Sequence, residues 1–391
     1  MTTYADAGVN ADLGNDASKI LYNASRLTWV NREGALGEVI VPTNDFSGLR
    51  YIDVSGLPKG TVMNIGFDSV GTKIEVAERV GRHETVGYDL FAMICEDVLV
   101  RGAEPVLVGS ILEVNTLRNK EKSYIDFVRQ LAVGYVNAAC EAGVAVVNGE
   151  VAEVGARVNG YGDFNYNWGA GVVWFANKDK LFTGMEIKEG DSLIGLKEEG
   201  FRSNGLSLVR KIMWENHGDD WHTIPWKHGN QTLGDLTLTP SRIYTRAVVD
   251  MIGGYYSPTN VAIHGVAHIT GGGIPEKLGR VLKPSGFGAE IDSPFEPTEF
   301  MRYVQADGSV LDEEAYKTWN MRHGMIIISP ESQKVIDVAQ QYGIEAKRIG
   351  YISDKPGIRI VNRGAFNPEN CKNLSEKSPY KKLQGLGVLE F

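Results

Sequence analysis

Glycine cuts this chain into short pieces. There are 46 in 391 residues, about 12% where roughly 7% is usual. They fall between apolar segments, not in a low-complexity tract, so they mark tight turns and ligand loops rather than disorder. A chain of this length is also too long for one ordinary core.

The segments alternate irregularly between helix and strand. Periodicity predicts helices over residues 16–30, 83–101, 123–142, 206–216, 241–252 and 313–319, and strands over 61–65, 106–112, 144–147, 169–176, 191–196 and 324–329. Another strand is expected to run into "HITGGG". This order favours an α+β fold over a doubly wound sheet. A charged, glycine-broken stretch at 177–190 reads as a seam. It divides the chain into an N-terminal domain, 1–178, and a C-terminal domain, 179–391.

Bulk properties narrow the function. A net charge of −9 argues against nucleic acid as a partner, which needs a positive field. Cys95, Cys140 and Cys371 are scattered without C-x-x-C spacing, as reduced cytosolic thiols are. The polar start lacks the basic and then apolar order expected of a signal peptide. No apolar run approaches the roughly 18 residues of a membrane span. A cytoplasmic protein without a membrane partner is expected.

"GFDSVGTKI", residues 66–74, has the glycine spacing of a P-loop but puts Thr72 before Lys73 and Ile74 after it. A P-loop needs lysine directly after the glycine and then a hydroxyl for magnesium. Two readings stand: a plain turn with a surface lysine, or a loop in which Asp68 holds Mg²⁺ and Lys73 neutralises phosphate. On the helix at 83–101, Asp89 and Glu96 share a face, and Asp97 lies near it. Acids on so apolar a helix are costly unless paired or metal-bound, which inclines Asp97 towards function over an i,i+4 pair with Arg101. Glu150 and Glu153 in "VNGEVAEVG" follow a strand, as ligands or as solvated turn residues. "HITGGG", with His268 at its mouth and Gly271, Gly272 and Gly273 before a helix, is a flexible turn or an anion loop. "RSNG", with Ser203 and Asn204, is an N-cap or a second ligand loop.

Taken in order, "YADAGVNADLGN", "DSVGTK", "RHETVGYDLFAMICEDVLVRGAEP", "NGEVAE", "GFRSNGLSLVRK", "LTPSRIY", "AHITGGG" and "TWNMRHGM" resemble the phosphoribosylformylglycinamidine cyclo-ligase family, the aminoimidazole ribonucleotide synthetases of purine biosynthesis. The resemblance runs over roughly residues 4–352. It implies two α+β domains, N-terminal strands forming a homodimer interface, and a C-terminal domain closing the ATP and substrate cleft. It also implies ATP and Mg²⁺ as cofactors and a small nucleotide as substrate. ATP phosphorylates an amide oxygen, an amidine nitrogen attacks that carbon, and phosphate leaves.

Residue by residue, the resemblance places Asp68, Gly71, Thr72, Lys73, Asp97 and Glu150 at ATP, with Asp68, Asp97 and Glu150 as metal ligands. Ser203, Asn204, Thr270, Gly271, Gly272 and Gly273 fall to the substrate, and His268 to proton transfer. Departures cluster in the same places. Ser110 stands where the family has Asp, Val151 where it has Thr, Asn167 where it has Asp, and Arg322 where it has Gly. The segment 31–58 is longer than expected, and the tail past about 361 is extra. Related ATP-using families fit less well: a selenophosphate synthetase needs an N-terminal cysteine, a hydrogenase-maturation dehydratase a cysteine-bearing tail, and a thiamine-phosphate kinase lacks "YADAGV" and "LTPSRIY". A non-catalytic nucleotide-binding relative is opposed by retention of the acids, Lys73 and His268.

Overall fold

A computed structural model describes residues 11–43, 48–227, 229–255, 260–365 and 387–391. The first seven residues of "YADAGVNADLGN", Cys371 and residues 366–386 of the tail lie outside these. By internal contacts the chain divides into two units: residues 1–98 with 103–180, and residues 99–102 with 181–391.

The first unit is built from α1 (Ala11–Thr28), β1 (Thr61–Ser69), α2 (Lys73–Val80), α3 (Val86–Leu99), β2 (Glu104–Val114), α4 (Ile125–Ala142), β3 (Ala145–Glu153) and β4 (Tyr166–Asn177). Its four strands order as β1-β4-β2-β3, antiparallel except for the parallel β2–β3 pair. The inner side chains of α3 (Leu90, Phe91, Ile94), α4 (Val128, Leu131, Tyr135) and the sheet (Val108, Leu112, Val172) are fully or almost fully buried. Residues on the open side are not: Met63, Ile65, Phe67 and Ile111 are 59%, 47%, 76% and 55% exposed. Met63, Ile65 and Phe67 alternate along β1, so they share one face.

The second unit is built from β5 (Ser192–Lys197), α5 (Leu206–His217), α6 (Leu233–Thr237), α7 (Thr245–Ile252), β6 (Gly265–His268), α8 (Gly273–Leu282), β7 (Gly288–Ile291), α9 (Glu299–Asp307), α10 (Asp312–Thr318), β8 (His323–Ser329), α11 (Ser332–Gln341), β9 (Ala346–Ser353), β10 (Ile358–Val361) and β11 (Val388–Glu390). The strands form one sheet ordered β11-β10-β7-β9-β5-β8-β6. Every residue of β8 is buried, so both faces of the sheet are covered at this strand. Ile194, Leu196, Val266, Met325 and Ile327 pack with Val248, Met251, Val335 and Ala339 from α7 and α11.

The α+β class expected from the sequence is the class observed. Several elements differ in extent. β1 continues through Asp68 to Ser69, and β3 continues through Glu150 to Glu153, so both candidate acids stand on strands rather than in loops. Backbone pairing with β4 and β2 carries these polar, glycine-containing residues into the sheet. α2 is a short helix without enough turns to show a period. The end of the tail, though patternless in sequence, pairs with β10 as a sheet edge.

Glu78, in the last turn of α2, ties down the connection from β3 to β4. Its carboxylate accepts the N–H groups of Tyr161 at 2.9 Å and Tyr166 at 3.2 Å. Burial raises its pKa from 4.5 to about 7, outweighing those two hydrogen bonds, which act to lower it. The folded state therefore holds this proton more tightly than the unfolded chain. The associated stability is present in full below pH 4.5 and is lost as pH rises through about 7. Between these limits the melting temperature of the wild type is expected to fall more steeply with pH than that of Glu78→Gln. Parallel curves from calorimetry would show that Glu78 does not titrate in this window.

Candidate functional site

In the first unit, a groove of about 750 Å³ lies over the sheet, lined by Phe67, Asp68, Ser110, Ile111, Asn148 and Glu150 among others. Asp68 on β1 is exposed, and its Oδ1 accepts the N–H of Ser69 at 2.6 Å. It lies opposite Ala170, which lies opposite Ser110, which lies opposite Gly149. Glu150 follows Gly149 and lies opposite Ile111, so it is three strand spacings from Asp68, roughly 14 Å, and on the alternate side of the pleat. Both residues line the groove, and their carboxylates do not share one ion within a chain. Asp97 is exposed near the end of α3, whereas its neighbour Glu96 is fully buried. Among the described residues no three His, Cys, Asp or Glu side chains form a metal cage.

The turn after Asp68 does something the motif does not disclose. Gly71 takes φ 73°, and α2 begins at Lys73, which turns inward. Its Nζ donates to Asp89 Oδ1 at 2.7 Å, with both side chains 0% exposed. Lys73 therefore ties the start of α2 to α3. Glu153 is likewise a local clamp, its Oε1 accepting the N–H of Leu117 at 2.7 Å.

Ser110 accepts a hydrogen bond from Tyr135 Oη at 2.7 Å, and burial pushes that phenol well above its ordinary pKa. Beside the groove is a second cavity of about 300 Å³ that shares Ser110, Asn148 and Glu150 with it and adds Tyr22, Trp29 and Arg50. The Arg50 guanidinium lies 5.2 Å from the centre of the Tyr22 ring. No local motif marked these three residues, since they meet β3 only in the fold.

In the second unit, the two candidate loops meet. Gly205, at φ 77°, leads into α5, and Gly272, at φ 93°, leads into α8. A Cβ on exposed Gly271 would meet only the Asn204 amide nitrogen, at 3.6 Å. Ser203 Oγ and Asn204 Oδ1 are buried without a hydrogen-bond partner. Unpartnered buried polar atoms are expensive. The Ser203 hydroxyl, which can donate, fits a polar or anionic ligand beside a glycine loop and a helix N-terminus, and the Asn204 amide oxygen fits a donor on that ligand. Thr270 is buried, and its carbonyl accepts the N–H of Gly273 at 2.9 Å. His268 is 2% exposed, with Nε2 3.2 Å from Arg202 Nη2. Arg322, the residue that replaces a customary glycine, holds φ 71°, where glycine has the lower cost. Its guanidinium pairs with Glu199 at 3.2 Å.

Comparison with known proteins covers both units. The family described as AIR synthase related protein, N-terminal domain, matches residues 52–173, and its C-terminal counterpart matches 188–362. A protein of Thermococcus kodakarensis named phosphoribosylformylglycinamidine cyclo-ligase is 34% identical over 367 residues, covering 93% of this chain and 99% of the relative. The protein of that name from Carboxydothermus hydrogenoformans is 34% identical over 92% and 98% of the two chains. Among solved structures, thiamine-monophosphate kinase from Stenotrophomonas maltophilia superposes with a TM-score of 0.60 at 12% identity, over 87% of this chain and 95% of that one. The hydrogenase maturation protein HypE in complex with ATP does so at 0.53 and 16%, over 82% and 86%. At these identities the structures establish a shared fold.

Proposed function

We infer from the phosphoribosylformylglycinamidine cyclo-ligase family, to which this chain belongs, that it is a ligase of purine biosynthesis that uses ATP to convert formylglycinamidine ribonucleotide to aminoimidazole ribonucleotide. The observation that carries the reading is the agreement of whole chains: relatives of that name match over nearly their full length. In this reaction the γ-phosphoryl group of ATP passes to the amide oxygen and ADP leaves. The amidine nitrogen then attacks the activated carbon, the carbon–oxygen bond breaks, and phosphate departs with loss of a proton. An amide oxygen is a poor leaving group, and its phosphate ester is a good one.

The substrate and ATP each bring anionic groups, and two places in the chain suit them. In the first unit, exposed Asp68 and Glu150 flank the sheet groove. Each can supply one oxygen to magnesium whose other ligands are phosphate oxygens and water, the set this ion prefers. When bound, that ion would neutralise triphosphate charge. Asp97, exposed near the end of α3, is a third carboxylate for the metal and its phosphate ligands. Gly71, with open space where a Cβ would stand, and exposed Thr72 let a phosphate approach the start of α2. In the second unit, Ser203 Oγ donates to the substrate phosphate, the Asn204 amide provides a donor and an acceptor, and the Gly271–Gly273 turn lets backbone approach closely. The binding of ATP by HypE supports nucleotide use on this fold.

Asp68→Asn tests the first place. The substitution removes one exposed charge with little change of volume, so the melting temperature is expected to stay near that of the wild type. ATP turnover is expected to fall by at least about 100-fold, as when a group that steadies developing charge is lost. A near-normal rate at saturating magnesium would exclude Asp68 as a metal ligand.

The open sheet face suits a homodimer. Met63, Ile65, Phe67 and Ile111 leave apolar side chains open on this face, the kind of patch that marks an interaction site. Light scattering is expected to give the mass of two chains. Phe67→Glu is expected to give the mass of one, with an unchanged circular dichroism spectrum. A single-chain mass for the wild type at micromolar concentration would reject the dimer. A cytoplasmic location accords with this role.

A further inference from the structure

We propose that Arg202 is a positioning residue that holds His268 as a neutral imidazole with its proton on Nδ1. The inference rests on the reading of the Gly271–Gly273 turn as the substrate loop, since His268 stands at the root of that loop.

The argument begins with the donor inventory. A guanidinium has five N–H donors and no acceptor. Arg202 Nη2 lies 3.2 Å from His268 Nε2, so Nε2 must present its lone pair. A ring that accepts at Nε2 is not an imidazolium, and its one proton is on Nδ1. His268 can then donate from Nδ1, but it has no proton on Nε2 to deliver.

The guanidinium is locked where it is. Arg202 Nη1 donates to Glu198 Oε2 at 2.9 Å, and both side chains are almost fully buried. Glu198 is itself held by two further donors, the Glu199 N–H at 2.8 Å and the Arg242 N–H at 3.2 Å. The Arg202 guanidinium also lies 5.4 Å from the centre of the Tyr244 ring. The backbone at Arg202 takes φ 61°, a region that L-residues enter at a cost. Such strain persists where surrounding contacts over-determine a residue, and here they fix the side chain between Glu198 and His268. Arg202 immediately precedes Ser203 and Asn204, while His268 immediately precedes Ile269 and Thr270. One guanidinium thus joins the roots of both candidate substrate loops and sets the tautomer of the only histidine in them.

The test uses the full chain labelled with ¹⁵N-histidine, at neutral pH and without ligand. Two-bond nitrogen–proton correlations report which ring nitrogen carries the proton, and His268 is assigned through its backbone amide. The expected pattern is a bare Nε2 and a protonated Nδ1. A protonated Nε2, or both nitrogens protonated, would overturn the proposal. The double variant Glu198→Gln with Arg202→Met removes both buried charges together, which avoids stranding one of them. In it the His268 ring is expected to lose the single tautomer, and kcat to fall about 100-fold, the scale of a small misplacement, with little change in KM. Loss of the tautomer at an unchanged kcat would remove Arg202 from the reaction. Failure of the substrate-loop reading shows elsewhere, as an unchanged KM in Gly271→Val, and does not alter the wild-type spectrum.

Discussion

Lys73→Ala is expected to destabilise the first unit by about 3–5 kcal/mol, the cost of leaving one partner of a buried ion pair without the other. The lysine ammonium and the Asp89 carboxylate touch at 2.7 Å with no exposure to solvent. Removing the cation takes the ammonium from a fully buried carboxylate between α2 and α3. Denaturant unfolding measures the loss, and the reduced activity should follow the unfolded fraction. The paired change Lys73→Met with Asp89→Leu removes both charges at similar volume and is expected to recover most of the stability. If Lys73→Ala instead stays within about 0.5 kcal/mol of the wild type, the range of neutral surface changes, while ATP use collapses, the lysine leaves Asp89 to hold phosphate.

The glycine loop of the second unit gives the other large effect, because its three glycines are not equivalent. Gly273 takes φ 60°, and a Cβ there would run into the backbone carbonyl of Tyr316. Left-handed strain and the clash together are expected to cost about 2–5 kcal/mol in Gly273→Ala. At Gly272 the φ is 93°, and a Cβ would meet the Glu276 carboxylate, which can move, and the Glu276 Cβ at 2.6 Å, which cannot. Gly271 has no positive φ and a single distant neighbour. Gly271→Val is therefore expected to fold normally. It would nonetheless block close approach of a phosphate to the backbone. Losing one charge-assisted hydrogen bond is worth about 1.5–3 kcal/mol, which is roughly 10–100-fold in KM for the nucleotide substrate. An unchanged KM with intact folding would move the substrate phosphate away from this loop.

What the sequence disclosed and what it hid differ by range. The eight motifs are local strings, and they identified the family and its α+β architecture. The chemistry inside a string depended on partners far along the chain. "DSVGTK" reads the same whether Lys73 faces solvent or a carboxylate; Asp89, sixteen residues on, decides it. Helical spacing put acids on one face of α3 but could not say that Glu96 would be buried and Asp97 exposed. Glu150 and Asp68 carried no mark of being on opposite margins of one sheet, since strand order is set by β4 and β2 between them. His268 was visible as a candidate, and Arg202 was not, because an arginine after Phe201 looks like any surface arginine until the fold buries it. Arg322 could be seen as a departure from glycine. Its φ of 71° gives the physical reason that glycine suits the place.

The measurement that bears most directly on the central claim is product formation from pure formylglycinamidine ribonucleotide, ATP and magnesium, followed by mass spectrometry with ADP release recorded in parallel. The expected result is aminoimidazole ribonucleotide, one per ADP, with no ADP above background when the ribonucleotide is omitted. Robust ADP release without a ring-closed product would contradict it, and would mean that Ser110, Val151 and Asn167 mark a different acceptor.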